Sequence, residues 1–269
     1  MDRHPALIVP ELASFCTKPA SAENGVDLAT GGWVTDFSSR GLDRTGDARL
    51  IPDIRLGFIR QRVGSLEGKR VLELGSLEGA HTLQYLEQGA EVTGVEANEA
   101  HFLKSLIVLN AQRARRAHMR LGDFEGYLRE TDERFDMVSA LGVLYHMTNP
   151  VETIRLCAKV TDTVAIWTVV YHEEGIPDGH RKLISAEVET TAGDFTYRGM
   201  KHHYRSIDAR KARKADNFSG GLENYALWIT WPELRRALEH FGFGDIDAKV
   251  SEPNNPRHGQ NVLLVARKG

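Results

Sequence analysis

From Lys69 onward the chain alternates short apolar runs with segments whose apolar residues recur at helical spacing. The runs at 70–75, 91–96, 118–121, 135–141 and 163–171 predict strands, and the stretches at 80–88, 99–114, 124–130 and 150–160 predict helices between them. Such alternation implies a parallel sheet with helices on both faces. Ahead of it, Ile54, Leu56, Phe58, Ile59 and Val63 predict a helix within 51–63 that leads onto the sheet. Residues 1 to about 50 have no strong period and carry Gly25, Gly31, Gly32, Gly41 and Gly46, which predicts an irregular arm with one short helix.

The alternation stops at His172. From there to about Asn224 the chain is polar and charged, punctuated by Gly175, Pro177, Gly179, Gly193, Gly199, Gly220 and Gly221. A segment of about fifty residues is too long for an ordinary loop. Its aromatic content, Tyr204 and Phe218 among others, favours a folded cap over a linker, with Gly220 and Gly221 as a hinge. The regular pattern returns at Trp231-Pro232-Glu233-Leu234, where Leu238 and Phe241 complete an amphipathic helix ending at Gly242. Strands at about 244–250 and 261–267 follow, joined by the turn-rich 253–260.

A chain of 269 residues with 41% apolar content supports one large α/β domain or a core domain with a cap. Its net charge of −3 gives no electrostatic case for general nucleic-acid or membrane binding. Cys16 and Cys157 follow no metal spacing and are expected to remain thiols in a reducing compartment. The apolar patch Ala6–Val9 is ended by Pro10 and Glu11, and no run approaches the ~18 apolar residues of a membrane span. The expectation is a soluble, cytoplasmic protein. The sequence sets no oligomeric state.

The most informative stretch is Val71-Leu72-Glu73-Leu74-Gly75-Ser76-Leu77-Glu78-Gly79, a strand running into a glycine turn and then a helix. That order brings backbone N–H groups and a helix N-terminus close to a nucleotide. The next strand ends in Glu96, roughly 20 residues past the turn, where a carboxylate reaches both hydroxyls of a ribose. The full G-x-G-x-x-G of NAD-binding turns is missing. The E-x-G-x-x-x-G form followed by an acidic strand end resembles the class I S-adenosylmethionine-dependent methyltransferases. The resemblance covers roughly residues 69–269. It implies a Rossmann-like, doubly wound, mostly parallel seven-stranded sheet with an antiparallel last strand, here with an inserted cap at about 172–224. Residues 1–68 then form an arm and lead-in helix.

The same resemblance implies S-adenosylmethionine as cofactor and S-adenosylhomocysteine as product. Glu73, Gly75, Ser76, Leu77 and Gly79 are expected to cradle its methionine end, the glycines by letting the backbone approach the ligand. Many family members have a further glycine where this chain has Leu77. Thr82 either bonds the cofactor carboxylate or caps its helix. Glu96, Ala97 and Asn98 form the expected ribose site. Asp123 and Phe124 are expected beside the adenine, with helix capping as the rival role of Asp123. Leu141 completes the cofactor set at the end of the fourth strand.

The second signal is the strand Asp136–Leu141 running into Gly142-Val143-Leu144-Tyr145-His146, at the edge where open α/β sheets bind ligands. "GVLYH", then "NP" and a helix, is most similar to the tRNA uridine 5-oxyacetic acid carboxymethyltransferase group. His146 can accept a proton from a substrate hydroxyl, or else shape the pocket. Tyr145, His172, His202, His203, Tyr225 and Trp228 are the candidate acceptor-binding residues. No metal is expected, because His202-His203 is adjacent and no HxH, HExxH or CxxC spacing exists. The basic clusters Arg113, Arg115, Arg116 and Arg210, Lys211, Arg213, Lys214 read as solvated surface. Together these point to methyl transfer onto a small-molecule acceptor, with oxygen preferred because His146 offers a base. The alternatives are an RNA methyl or carboxymethyl transferase and a non-catalytic nucleotide-binding scaffold.

Overall fold

The computed structural model describes residues 18, 21–29, 32–43, 45–176, 178–204, 221–253 and 259–269. The apolar patch at 6–9, Cys16, Gly31, Pro177, Phe218, Gly220, the basic cluster at 210–214 and part of the 253–260 connection lie outside them.

Five parallel strands, β1 (Arg70–Leu74), β2 (Glu91–Glu96), β3 (Ala117–Leu121), β4 (Met137–Leu141) and β5 (Thr163–Val169), come in the predicted places. Two more, β9 (Asp245–Val250) and β10 (Asn261–Arg267), complete a seven-stranded sheet in the order β3-β2-β1-β4-β5-β10-β9. The last strand, β10, runs antiparallel to both neighbours. The strand order reverses between β1 and β4, so the chain leaves a crevice at their C-terminal ends.

Strand alternation divides the core in two. Leu72, Leu74, Val138, Ala140, Val164, Ile166 and Leu264 face one cluster with α5 (Phe124–Glu130), α6 (Pro150–Val160) and α8 (Trp231–His240). Val71, Val92, Met137, Ala165 and Val265 face the other, which receives Leu56, Phe58 and Ile59 of α2 (Ile54–Val63) and Tyr85 of α3 (Ala80–Glu87). The lead-in helix is therefore part of the sheet's cover. The predicted short helix of the arm is α1 (Ala22–Leu28), capped by Ser21 and packed near α4 (Glu99–Ala111) through Val26. Asn149 caps α6 by accepting the Glu152 N–H, and Pro150 takes a first-turn position that needs no N–H.

The segment after β5 folds as a cap. A short helix α7 (Asp178–Arg181) precedes β6 (Ile184–Ala192) and β7 (Phe195–His203), and β8 (Tyr225–Trp228) pairs with β7 to make a three-stranded antiparallel sheet. The cap therefore runs to Trp228, beyond the expected boundary at 224, because the third strand lies past it. One face carries Ala192, Phe195 and Tyr197 into the α6–α8 cluster. The other end is tied to the segment after β4: the Leu227 N–H donates to Met147 O at 2.8 Å, and the Trp228 indole N–H to Tyr145 O at 3.0 Å. Among the described residues no helix is long and apolar enough to cross a membrane.

Candidate active site

The turn after β1 is built as its sequence demands, with one exception. Gly75 has φ +66° and Gly79 φ +84°, and Leu77, where a glycine is usual, holds φ +49°. The departure noted in sequence leaves the loop in the left-handed conformation and loads its steric cost onto a leucine. At Gly75 the missing side chain makes room for the chain itself, a packing role beside the ligand approach expected from sequence. A Cβ on Gly75 would lie 2.5 Å from Val143 Cγ1, whereas one on Gly79 would touch Ser105 and Leu109 only at 3.5 and 3.8 Å, ordinary contact distances. Gly75 is needed so that the segment after β4 can pack against this turn.

Glu96 closes the turn from β2. Its carboxylate accepts the Leu77 N–H at 2.7 Å and the Asn98 N–H at 2.8 Å. Burial pushes its pKa up, against the pull of those N–H groups. A carboxylate with two oxygens at a loop edge suits a pair of vicinal hydroxyls. Ala97 beside it is exposed, and Asn98 caps α4 by accepting the His101 N–H.

Several residues expected at the cofactor have other partners. Thr82 is fully buried and its hydroxyl donates to Glu73 Oε2, so it faces the strand and not the loop mouth. Glu73 itself is buried, which raises its pKa to about 7. Ser76 Oγ is buried without a hydrogen-bond partner, its Cβ turned toward Gly94 on β2. Asp123 accepts the Glu125 and Gly126 N–H groups at 3.1 and 3.0 Å, the capping role, although its carboxylate keeps free lone pairs. Phe124 is buried in the main core cluster. Leu141 stands half-buried at the end of β4.

A polar chain unseen in the sequence runs beside the turn. Asp53, which caps α2, accepts hydrogen bonds from Arg55 Nε and Nη2 and one from His81 Nε2 at 2.8 Å. His81 Nδ1 lies 3.9 Å from Glu73. Burial opposes the charge on Asp53, yet the His81 and Arg55 hydrogen bonds hold its pKa well below the carboxylate range. The Arg55 guanidinium sits over the Trp167 ring at 4.8 Å, and Tyr145 meets Trp167 edge-on at 5.8 Å. Arg55, Trp167 and Tyr145 thus wall the ends of β4 and β5. The one local signal for this group was Asp53 after Pro52, at a helix start.

On the other side of the turn Glu78, fully buried, accepts the Val34 and Thr35 N–H groups at 2.9 and 2.8 Å. His101 and Lys104, also buried, stand 3.6 and 3.8 Å from it, and Lys104 Nζ donates to Gly32 O at 2.9 Å. This cluster fastens the arm to the turn.

His146 ends a single 3-10 turn, Leu144–His146, just past β4. Its Nδ1 lies 3.0 Å from the Tyr204 hydroxyl, and its ring contacts Tyr145 at 4.1 Å between centroids. Burial lowers its pKa to about 4, so the ring is neutral at physiological pH. The acceptor candidates divide between the two faces of β7 and β8, because neighbours on a strand point oppositely. His202 is buried, stacks on Trp228 at 4.1 Å and 6°, and has Nε2 3.0 Å from His180 Nδ1. Its pKa is also lowered to about 4, by burial first and then by neighbouring histidines, including His146. His203 and Tyr225 stand on the opposite face, His203 against Ser185 Oγ at 3.1 Å and Tyr225 under the Lys201 ammonium at 4.0 Å. They are not brought to His146. Trp228 is buried and holds the cap to the core. His172, just past β5, has a buried Nδ1 without a hydrogen-bond partner. Among the described residues no group of three or more His, Cys, Asp or Glu is arranged to hold a metal ion.

A family model described as a methyltransferase domain matches residues 65–213, more than half of the chain. The ubiquinone biosynthesis O-methyltransferase of Alkalilimnicola ehrlichii is 31% identical over 127 residues, covering 46% of this chain and 51% of that one. Its counterpart in Bordetella pertussis is 32% identical over 110 residues, 41% and 45% of the two chains. The match thus spans about half the length of these curated relatives. Among solved structures, the N-terminal domain of EvdMO1, crystallised in the presence of S-adenosylhomocysteine and D-fucose, superposes with a TM-score of 0.66 at 24% identity over 92% of this chain and 95% of that one. The 1,6-didemethyltoxoflavin-N1-methyltransferase of Burkholderia thailandensis gives 0.54 at 17% identity over 80% and 77%. With its strand order, its glycine turn and the family match in agreement, the chain belongs to the class I S-adenosylmethionine-dependent methyltransferases.

Proposed function

We propose that the protein binds S-adenosylmethionine at the β1–β2 end of the crevice and transfers its methyl group to a hydroxyl of a small molecule. The observation that carries this reading is the pairing of two groups across the strand-order reversal. Glu96 offers two carboxylate oxygens at the turn, and neutral His146 stands just past β4. The donor set fits the cofactor through the Glu96 carboxylate, which offers two oxygens to a ribose diol at the edge of a turn in the left-handed conformation. The names of the O-methyltransferase relatives support an oxygen acceptor, and the presence of D-fucose in the EvdMO1 crystal supports a small polyhydroxylated one.

S-adenosylmethionine supplies a methyl group already activated on a sulfonium, so alignment and exclusion of water carry much of the rate. Glu96 binds the ribose hydroxyls in exchange for its Leu77 N–H contact. Tyr145, Trp167 and Arg55 line the floor on which the acceptor rests. His146 takes the acceptor's hydroxyl proton at Nε2: the ring is uncharged and has that lone pair open, and because burial disfavours the imidazolium the proton moves as the methyl transfers and not before it. We further propose that residues 69–269 are the transferase domain and that its cap, extended to Trp228, selects the acceptor.

The test is transfer of labelled methyl from S-adenosylmethionine into a metabolite extract, compared with tRNA. Label in small hydroxylated products supports the proposal. Label confined to tRNA, or none with the cofactor bound, refutes the acceptor class.

A further inference from the structure

Tyr204 is the last described residue after β7, and Gly221 begins the run into β8. Both ends of the segment between them meet at His146. The Gly221 N–H donates to Tyr204 Oη at 2.9 Å, and Oη lies 3.0 Å from His146 Nδ1 and 3.5 Å from the His146 carbonyl oxygen. The two rings are stacked, 25° apart with centroids at 6.1 Å. The approach is close enough to require glycine: a Cβ on residue 221 would lie 2.2 Å from His146 O.

A phenol oxygen has two lone pairs and one proton. If Tyr204 gives its proton to Nδ1, the neutral imidazole carries its hydrogen on Nε2 and that nitrogen cannot accept another. If Nδ1–H donates to Oη instead, Oη receives two N–H groups, its own proton turns to the His146 carbonyl, and the Nε2 lone pair is left for a substrate. Among the described residues no hydrogen bond reaches Nε2. Among the described residues the second arrangement satisfies all three contacts of Oη, with the Gly221 N–H, His146 Nδ1 and the His146 carbonyl, and the first satisfies two.

We infer that Tyr204 is the positioning residue of His146: its hydroxyl holds the ring by Nδ1–H and presents an unprotonated Nε2 to the acceptor. The inference rests on the hydroxyl-methylation reading for its use, although the tautomer itself does not. It also gives the cap a part in the chemistry, since the residue that sets the base belongs to the cap and not to the sheet. When the Tyr204–Gly221 contact is made, the base is set. Tyr204 acts through His146 and has no reacting atom of its own.

The experiment is long-range 15N–1H correlation on protein with labelled histidine, with and without S-adenosylhomocysteine, the His146 signals being assigned by their loss in His146→Asn. The wild type is expected to show His146 as one tautomer, protonated at Nδ1. In Tyr204→Phe, which keeps the stacked ring, the populations should shift at least fivefold toward the Nε2-protonated form while adenosylhomocysteine affinity stays within twofold. An Nε2-protonated His146 in the wild type overturns the inference without reference to any variant, and so does an unchanged tautomer in Tyr204→Phe. Once an acceptor is in hand, Tyr204→Phe should lower kcat about tenfold with KM little changed, and should add nothing to His146→Ala. A further loss in that background would place Tyr204 elsewhere. The expected tautomer with no methyl transfer to any hydroxyl would leave this inference standing and remove the proposed function.

Discussion

Replacing Glu78 should detach the N-terminal arm from the Gly75–Gly79 turn. Its carboxylate, with no exposed surface, accepts the N–H groups of Val34 and Thr35 and faces His101 and Lys104, themselves 1% and 3% exposed. Hydrogen bonds to a charged group contribute about 1.5–3 kcal/mol each. Removing one partner of a buried ion pair costs about 3–5 kcal/mol, because the remaining charge is stranded. These contributions share groups and do not add, so Glu78→Ala is expected to lose about 3–5 kcal/mol of a typical total of about 5–15. Glu78→Gln keeps the shape and one acceptor oxygen and should lose roughly half as much.

Burial opposes the charge on Glu78, but His101 and the two backbone N–H groups outweigh it and its pKa is lowered. Its contribution is therefore present above the ordinary carboxylate pKa and is lost as pH falls through the depressed value. Urea unfolding at pH 7 measures the loss, and limited proteolysis should find new cuts in residues 18–50. A Glu78→Ala protein within about 1 kcal/mol of wild type, with an uncut arm, would refute the reasoning.

Three further outcomes follow from the site. His146→Ala should lower turnover about 100-fold with cofactor affinity nearly intact, as read by steady-state kinetics and calorimetry; full turnover would reduce His146 to a shaping residue. Stability should decline as pH falls from about 6.5 to 4, because unfolded His146 and His202 take up protons that the folded state refuses until about pH 4. Glu73, with its pKa raised to about 7, and Glu96, raised by the same burial, run the other way: Glu73's contribution is full below about 4.5 and is lost as pH rises through 7, so the two carboxyls offset part of the histidine slope above 4.5. His202→Asn should flatten the remaining slope in pH-dependent urea unfolding, and an unchanged slope would contradict the buried neutral imidazole. Deleting 175–222, which leaves β8 without its partner strand and bares Trp228, should destabilise the whole domain and not merely abolish acceptor selection, as a thermal melt would show; an unchanged melting temperature would contradict the packing of the cap.

The sheet was legible because alternation with period two and helical spacing are local properties, and the Gly75–Gly79 turn and the strand-end carboxylate of Glu96 show in residue type and separation. The Leu77 conformation was not, since no residue type announces a strained leucine; the turn around it imposes the angle. The end of the cap was misplaced because Tyr225–Trp228 is only four residues long and its partner β7 is remote in sequence. His202 and His203 looked equivalent as neighbours, yet a strand sends them to opposite faces. Asp123 had a ligand role and a capping role written in the same residue, and the cap is engaged; Thr82 does not cap its helix, its hydroxyl donating to Glu73 instead, a partner neither reading named. Asp53, Arg55, Glu78, His101 and Tyr204 gain their meaning from contacts between distant segments, which spacing does not encode.

S-adenosylmethionine is expected to bind at the Gly75–Glu96 end of the crevice. Isothermal titration of S-adenosylhomocysteine into wild type and Glu96→Ala, with NAD as control, addresses it most directly. Micromolar binding is expected for the wild type, with NAD inert and the variant weaker by about 1–3 kcal/mol, roughly 5- to 150-fold. NAD binding without adenosylhomocysteine binding, or equal affinity in the variant, would contradict it.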